Sequence, residues 1–176
     1  MRLEEEINQK KFLSEIHKLT VNILYTHGWL VAMMSDALKP HDLTLAQFNI
    51  LRILRGQYPG TATVSLLKER MLDKMSDASR LVERLRVKGL VERGASNNDR
   101  RKANISITPK GIEVLSRLGD FDAVLSALGD EITEDQALAV NAVLDAMREA
   151  RVEPGISNHE RDRLPRDPLL NTGTIR

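Results

Sequence analysis

Through the first forty residues, apolar side chains recur at intervals of three and four, and the run ends at Pro40. This spacing matches the 3.6-residue period of a helix, so it predicts one long amphipathic helix with a break near Gly28. Thr44 and Gln47 then stand three residues apart, the spacing of a capping box. A second helix is therefore predicted over residues 45–56.

Two shorter helices are predicted next, joined by the tight connection "DKM". The first covers "SLLKERML" from Ser65, and the second covers residues 76–88. An apolar stripe with helical spacing marks one side of the second helix: Ala78, Leu81, Val82 and Leu85. Because the opposite side is polar and basic, the pair is typical of a helix-turn-helix.

After Gly89 the period changes from helical to alternating. "LVER" and "KANISIT" are predicted strands, and "GASNNDR" between them supplies the residue types of a turn. The pattern therefore predicts a β-hairpin whose tip, within residues 94–102, carries arginines.

Two further helices are predicted towards the carboxyl end. One begins at Pro109, and the other follows a second capping box at Thr133 and Gln136. Gly119 and Gly129 predict breaks between these elements.

Composition agrees with a mainly helical protein, since aromatic residues make up 3% of the chain and charged residues 29%. Cysteine is absent, which excludes disulfides, a thiolate nucleophile and a Cys-ligated zinc in this chain. No apolar run approaches the ~18 residues of a membrane span, and the N-terminus lacks the apolar segment of a signal peptide. We therefore expect a cytoplasmic protein that does not contact the membrane.

Charge is distributed unevenly along a chain whose formal net charge is +1. Between Lys74 and Lys102 nine basic residues face four acidic ones, a local charge of +5. This asymmetry is typical of a nucleic-acid-binding face, and the alternative is an ordinary solvated helix surface.

The chain lacks the motifs of the common enzyme classes, including G-x-S-x-G, H-E-x-x-H and a phosphate-binding glycine loop. His17, His27 and His41 do not form a pair at the i, i+4 spacing of a helical zinc site. We therefore expect no enzymatic activity, no cofactor and no metal site.

The stretch "RLVERLRVKGLVERGASNNDRRKANISITPKG" resembles the MarR family of winged helix-turn-helix transcriptional regulators, and the resemblance extends over residues 8–150. The matching elements are "KGLVER", a D-x-R wing tip at Asp99 and Arg101, and the exit "ITPKG". The resemblance implies a mainly α fold with a small β-hairpin wing and helices for dimerisation at both ends. The corresponding division is a single domain of residues 1–151, followed by an extended tail of residues 152–176. Within that domain, residues 1–40 and 109–151 form the dimerisation helices, and residues 41–108 form the winged lobe.

The resemblance also implies a homodimeric DNA-binding regulator, more often a repressor, on a pseudo-palindromic operator. Residues in or beside the major groove would be Ser76, Asp77, Ser79, Arg80 and Arg84. In the wing, Arg101 would enter the minor groove, Asp99 would brace it, and Asn98 would lie beside them. Phosphate contacts would come from Lys74, Lys88, Arg100 and Lys102.

Alternatives remain open for several of these residues. Asp77 at a helix N-terminus has the simpler role of a cap. Arg80 and Arg84 lie within helical reach of Glu83 and Asp77 and could pair with them. At the level of function, the alternative is a winged-helix protein-interaction module with incidental DNA affinity.

The family often binds phenolic or lipophilic effectors between its dimerisation helices and winged lobe, which implies a small anionic or lipophilic effector here. Candidate ligand-binding residues are His17, Tyr25, His27, Trp29, Met33 and Phe48; the alternative for these side chains is the core or the subunit interface. Two features depart from the family pattern. The connection contains the charged pair Asp73-Lys74, and the helix after the wing is short.

Overall fold

The computed structural model describes residues 2–95, 103–118, 126 and 128–150. The chain divides into two units, residues 1–128 and residues 129–176, and each is described here by itself. The predicted tail at 152–176 lies outside the described residues.

The N-terminal segment forms two helices, α1 (Leu3–Glu6) and α2 (Glu15–Leu38). The prediction of one helix with a break near Gly28 is therefore wrong about the position of the break. Helix α2 begins where the Ser14 hydroxyl accepts a hydrogen bond from the His17 N–H (3.1 Å), and it continues through Gly28. A glycine inside a helix costs only about 1 kcal/mol, which the surrounding apolar helix formers outweigh.

A 3₁₀ turn (Lys39–His41) leads into three helices, α3 (Leu45–Arg55), α4 (Val64–Arg70) and α5 (Ala78–Val87). The predicted capping box of α3 is present, since the Thr44 hydroxyl accepts from Gln47 N–H (3.3 Å) and the Gln47 side chain accepts from Thr44 N–H (3.1 Å). Helix α5 starts two residues later than predicted. Helix α4 ends at Arg70, two residues before the end of the predicted stretch "SLLKERML". The existence and order of the three helices are as predicted.

The hairpin consists of β1 (Val91–Ala95) and β2 (Ala103–Ile107), paired antiparallel with Val91 opposite Ile107. Gly89, at the end of α5, has φ +72°, a conformation that side chains other than glycine rarely adopt. Ala62, in the loop before α4, forms a β-bridge to Ile105. The bridge joins this loop to the hairpin.

Helix α6 (Pro109–Arg117) follows the hairpin, and the Thr108 hydroxyl caps it by accepting from Gly111 N–H (3.1 Å). In the second unit, α7 (Glu134–Glu149) has the predicted capping box of Thr133 and Gln136. Residues 128–131 are helical, so the predicted break at Gly129 is wrong. The other predicted break, at Gly119, lies just outside the described residues.

The core of the first unit lies between α3, α4, α5 and the hairpin, and it contains fully buried Leu, Ile, Val and Met side chains. Its central members include Ile50, Leu51, Leu54, Leu67, Met71, Val82, Leu85, Val91 and Ile105. This packing fixes which side of α5 faces the protein. The mainly helical winged fold that the sequence predicts is confirmed, and among the described residues no helix is long and apolar enough to cross a membrane.

Candidate nucleic-acid interface

Helix α5 buries one side and exposes the other. Ala78, Val82 and Leu85 are buried, and Arg80 and Arg84 are exposed. Within the described part of the chain, neither arginine has an acidic partner. Glu83, the acid nearest in sequence, instead pairs with Arg86 through Nη2 at 2.8 Å and Nε at 3.0 Å.

Two guanidinium groups are therefore available on the exposed side of α5. The alternative in which Glu83 and Asp77 neutralise them is wrong for this structure. A guanidinium without an intramolecular partner can donate in a bidentate manner to a phosphate or to a guanine edge. The exposed side of α5 has the chemistry of a DNA-binding surface.

Asp77 has the role of a cap. Its Oδ1 accepts a hydrogen bond from Arg80 N–H at 3.1 Å, at the N-terminus of α5. The carboxylate thereby satisfies a backbone donor that the helix leaves unpaired and interacts favourably with the helix dipole. Because one oxygen is occupied in this way, Asp77 can offer only its remaining acceptor capacity to a cytosine.

The connection between α4 and α5 is held by side-chain hydrogen bonds. The carboxylate of Asp73 accepts from the Ser76 hydroxyl (2.6 Å) and from Met75 N–H (2.9 Å). The Ser76 hydroxyl, followed by the Met75 amide, lowers the pKa of Asp73 below its usual value. On the other side, Asn49 Oδ1 accepts from Leu72 N–H (3.0 Å). The departure from the family pattern at Asp73 therefore creates a turn of defined shape.

Lys74 and Ser76, both predicted DNA contacts, lie in this turn. The Lys74 ammonium donates to the backbone carbonyl of Glu69, and the Ser76 hydroxyl donates to Asp73. Ser79, another predicted contact, is exposed on α5. The structure therefore brings Lys74, Ser76 and Ser79 together at the N-terminal end of α5.

Two apolar side chains in the same turn were not selected from the sequence. Leu72 is 84% exposed and Met75 is 93% exposed. Leu72 was predicted to end the helix before the connection, and Met75 lay in the predicted connection "DKM" outside the apolar stripe of α5. They lie next to the proposed groove-facing residues.

Lys88, at the end of α5, is held within the lobe. Its Nζ lies 2.9 Å from Asp42 Oδ2 and also donates to the Asp42 carbonyl. Lys110 Nζ in turn donates to the Lys88 carbonyl at 2.9 Å. The ammonium of Lys88 thus has intramolecular acceptors in this structure, and its predicted phosphate contact stays a prediction.

The predicted wing contacts cannot be located in the same way. Asn98, Asp99, Arg100, Arg101 and Lys102 lie outside the described residues. The neighbouring strands β1 and β2 are described, and their register runs from Val91 opposite Ile107 to Ala95 opposite Ala103.

The predicted ligand residues of α2 fall in different surroundings. Tyr25 and Trp29 line a cleft of about 500 Å³ between α1 and α2. The Tyr25 hydroxyl donates to Glu6 Oε2 at 2.8 Å, and this hydrogen bond raises the pKa of Tyr25. His27 is exposed, and Met33 is half-buried.

The other two candidates lie elsewhere in the first unit. His17 contacts the ring of Phe12 edge-on, with ring centres 5.8 Å apart, and its Nδ1 accepts from Leu13 N–H. Phe48 lines a second cavity, of about 420 Å³, between α3 and α6, whose walls include Arg52 and Arg55. The six candidates therefore do not share one cavity within the described single chain.

Metal-binding groups are not clustered in the described part of the chain. No group of three or more His, Asp or Glu side chains there could hold a metal ion.

The chain is similar in sequence to known transcriptional regulators. The sequence pattern of the MarR family matches residues 41–102, which span α3 to the hairpin. The HTH-type transcriptional repressor IacR of Pseudomonas putida is 26% identical over 122 residues, covering 69% of this chain and 72% of IacR. The chain is thus similar to MarR-family transcriptional regulators, with the family pattern matched over residues 41–102.

Solved structures of MarR-family proteins share the fold. A mutant of MarR from Escherichia coli, complexed with operator DNA, superposes with a TM-score of 0.65 over 78% of this chain and 99% of that chain, at 24% identity. An organohalide-sensing regulator in its 2,4-dichlorophenol-bound form gives a TM-score of 0.67 over 77% of this chain and 80% of that one, at 22% identity. The MarR-family fold of this chain therefore extends well beyond residues 41–102.

Proposed function

We propose that this protein is a homodimeric, sequence-specific DNA-binding repressor of the MarR family, in which α5 reads the major groove and the wing at 94–102 enters the minor groove. The observation that carries the proposal is the exposed side of α5. There, Arg80 and Arg84 lack acidic partners within the described residues, next to a turn of defined shape. The E. coli relative in complex with operator DNA supports the same use of the fold.

The dimensions of B-DNA fit a helix beside a basic loop. The major groove is wide enough to admit an α-helix, and the adjacent minor groove is narrow with a strong negative potential that attracts arginine. Arg80, near the N-terminus of α5, is placed to reach a base edge, because the N-terminal residues of a recognition helix make such contacts. Arg84, one turn further along, contacts the backbone or the groove edge.

Unpartnered apolar side chains support the homodimer. On or just before α2 these are Leu13, Ile16, Leu24 and Trp29, and on α7, in the second unit, they are Leu138, Val140 and Val143; all are exposed in the single chain. We infer that a partner subunit covers such side chains, because large apolar groups on the outside of long helices are expected at subunit interfaces. We infer that residues 1–40 and 109–151 supply the dimerisation helices, that residues 41–108 form the DNA-binding lobe, and that the tail at 152–176 follows.

A small effector that releases the protein from DNA fits the cavity between α3 and α6. Phe48 supplies an aromatic wall, and the guanidinium of Arg52 lies 5.8 Å from the centre of its ring. Arg55 adds a second positive charge at the edge. An aromatic anion matches this combination, and the dichlorophenol-bound relative supports a phenolic class of effector.

The proposal is tested by substituting one arginine for each groove. Arg80→Ala removes a candidate bidentate guanine contact, worth ~1–3 kcal/mol of base discrimination, so it should relax preference at one position of each half-site. Arg101→Ala should weaken binding to all sequences and lower the slope of log affinity against log salt by about 0.9 per subunit, hence about 1.8 for the homodimer. Binding isotherms on operator and scrambled DNA, each at several salt concentrations, measure both effects.

If both variants bind both DNAs as the parent protein does, the DNA-reading proposal is wrong. The winged lobe would then serve protein interaction, with incidental DNA affinity. Arg86→Ala is a matched control, because this arginine on the same helix is paired with Glu83 and should have little effect on specificity.

A further inference from the structure

The connection before α5 exposes two large apolar side chains, Leu72 at 84% and Met75 at 93%. Single exposed apolar residues are common on protein surfaces, but these two lie three residues apart in one connection, residues 71–77. Both flank the charged pair Asp73-Lys74. Neither side chain contributes to the core of the first unit.

The backbone of the turn keeps both side chains in the solvent. Leu72 N–H is bonded to Asn49 Oδ1, and Met75 N–H is bonded to the Asp73 carboxylate. The same carboxylate accepts from the Ser76 hydroxyl. Since the amides of both residues are bonded to side chains of the lobe, the backbone positions from which the two apolar groups project are fixed.

The position of the turn indicates what could cover them. Met75 stands two residues before Asp77, the N-cap of α5, so it lies at the end of the helix that would approach base edges. Arg70, Lys74 and Arg80 are exposed basic residues near the pair in the chain, and the first and last of these lack acidic partners within the described residues, whereas Asp73 and Asp77 accept local hydrogen bonds. An apolar contact inside a basic surface fits the major groove, where the C5-methyl group of thymine is the apolar feature among polar base edges.

We propose that Met75, with Leu72 beside it, contacts the C5-methyl group of a thymine in each half-site and so contributes to sequence specificity. The inference rests on the proposed DNA-binding function, and it concerns residues of the turn rather than the exposed side of α5. Methionine suits such a contact because its unbranched thioether adapts to an irregular apolar surface.

The test uses the full-length protein and an operator obtained by selection from random DNA. Each thymine is replaced in turn by deoxyuridine, which removes only the C5-methyl group and leaves the base-pairing edge unchanged. Loss of one buried methyl should weaken binding about fourfold, as expected from the free energy of burying a methylene-sized group. At least one thymine in each half-site should show this loss with the parent protein.

Met75→Ala is then measured on the same set of operators. The variant should bind the thymine operator more weakly, and it should no longer distinguish thymine from uracil at the position that the parent protein senses. Val87→Ala is the matched control, because Val87 is 75% exposed at the opposite end of α5 and should leave the methyl dependence unchanged.

The possible failures can be distinguished. If the parent protein selects no sequence, the proposed function is wrong. If it binds an operator but no uracil substitution weakens binding, the inference is wrong and the proposed function stands. If Met75→Ala and Leu72→Ala still distinguish thymine from uracil as the parent protein does, neither side chain contacts the methyl group and the inference is wrong. A change of oligomeric state in these variants would also overturn the inference, because the two side chains would then contact protein.

Discussion

Lys88 differs from the exposed arginines of α5 because its ammonium is engaged within the protein. Its ammonium is held by the carboxylate and the carbonyl of Asp42, the residue that follows the 3₁₀ turn at the end of α2. A lysine engaged in this way ties the end of α5 to the end of α2. We therefore predict that Lys88 positions the recognition helix and neutralises no phosphate.

The magnitude follows from the salt dependence of DNA binding. Each phosphate that a basic side chain neutralises contributes about 0.9 to the slope of log affinity against log salt, so a contact made by both subunits contributes about 1.8. Lys88→Ala should leave the slope unchanged. The ion pair is only partly buried, because Asp42 is 92% exposed, so its loss should cost at most about 1 kcal/mol. If this whole cost appeared in DNA binding, it would weaken affinity by at most about fivefold per subunit, and equally at every salt concentration.

Isotherms at four or more salt concentrations measure both quantities, with Arg84→Ala as the matched control on the same helix. Arg84 is exposed and lacks an acidic partner in the described residues, so its loss should reduce the slope. A reduction of the slope by about 1.8 in Lys88→Ala would refute the reasoning, because it would mean that Lys88 leaves Asp42 to contact phosphate.

Two further predictions concern the lobe itself. Gly111→Ala should destabilise the protein by ~1–3 kcal/mol, because a Cβ there would lie 2.3 Å from the Leu90 carbonyl oxygen. Gly28→Ala should instead stabilise α2 by ~0.5–1 kcal/mol, because the space around Gly28 is open. Thermal unfolding of the two variants measures both effects, and equal changes in stability would contradict this description of the packing. Because the pKa of Asp73 is lowered, its carboxylate stabilises the turn at pH values above the ordinary pKa of an aspartate. This stabilisation should be lost as the pH falls through the lowered pKa and the carboxylate is protonated. Ser76→Ala should raise the pKa of Asp73 towards its ordinary range in a carboxyl NMR titration, and an unchanged titration midpoint would show that the hydrogen bond is not formed.

Local signals in the sequence were sufficient for most of the fold. The capping box at Thr44 predicted the first residue of α3 correctly. Gly89 predicted the end of α5, and its positive φ in the structure shows why a glycine is needed there. These features act through neighbouring backbone groups, so their consequences can be read over a few residues. Gly28 misled because glycine permits a break without requiring one, and Ser14 supplied the start of the helix instead.

The candidate site was less predictable, because its properties depend on residues distant in the chain. The pairing of Lys88 with Asp42 spans 46 positions, and nothing in the sequence near Lys88 indicates it. Likewise, the turn at Asp73 is completed by Asn49 on α3, which fixes Leu72 in the solvent. Charge counting treats all lysines and arginines of the region alike, while the fold separates those that bind the protein from those left exposed.

We propose that two copies of this chain read an inverted repeat, with one α5 helix in each of two successive major grooves. A footprint of the purified protein on genomic DNA tests it most directly. We expect protection of discrete sites. Each site should consist of two inverted half-sites whose centres are about one helical turn apart, 10–10.5 base pairs. Uniform, sequence-independent protection that disappears at moderate salt, or protected sites without two-fold symmetry, would contradict it.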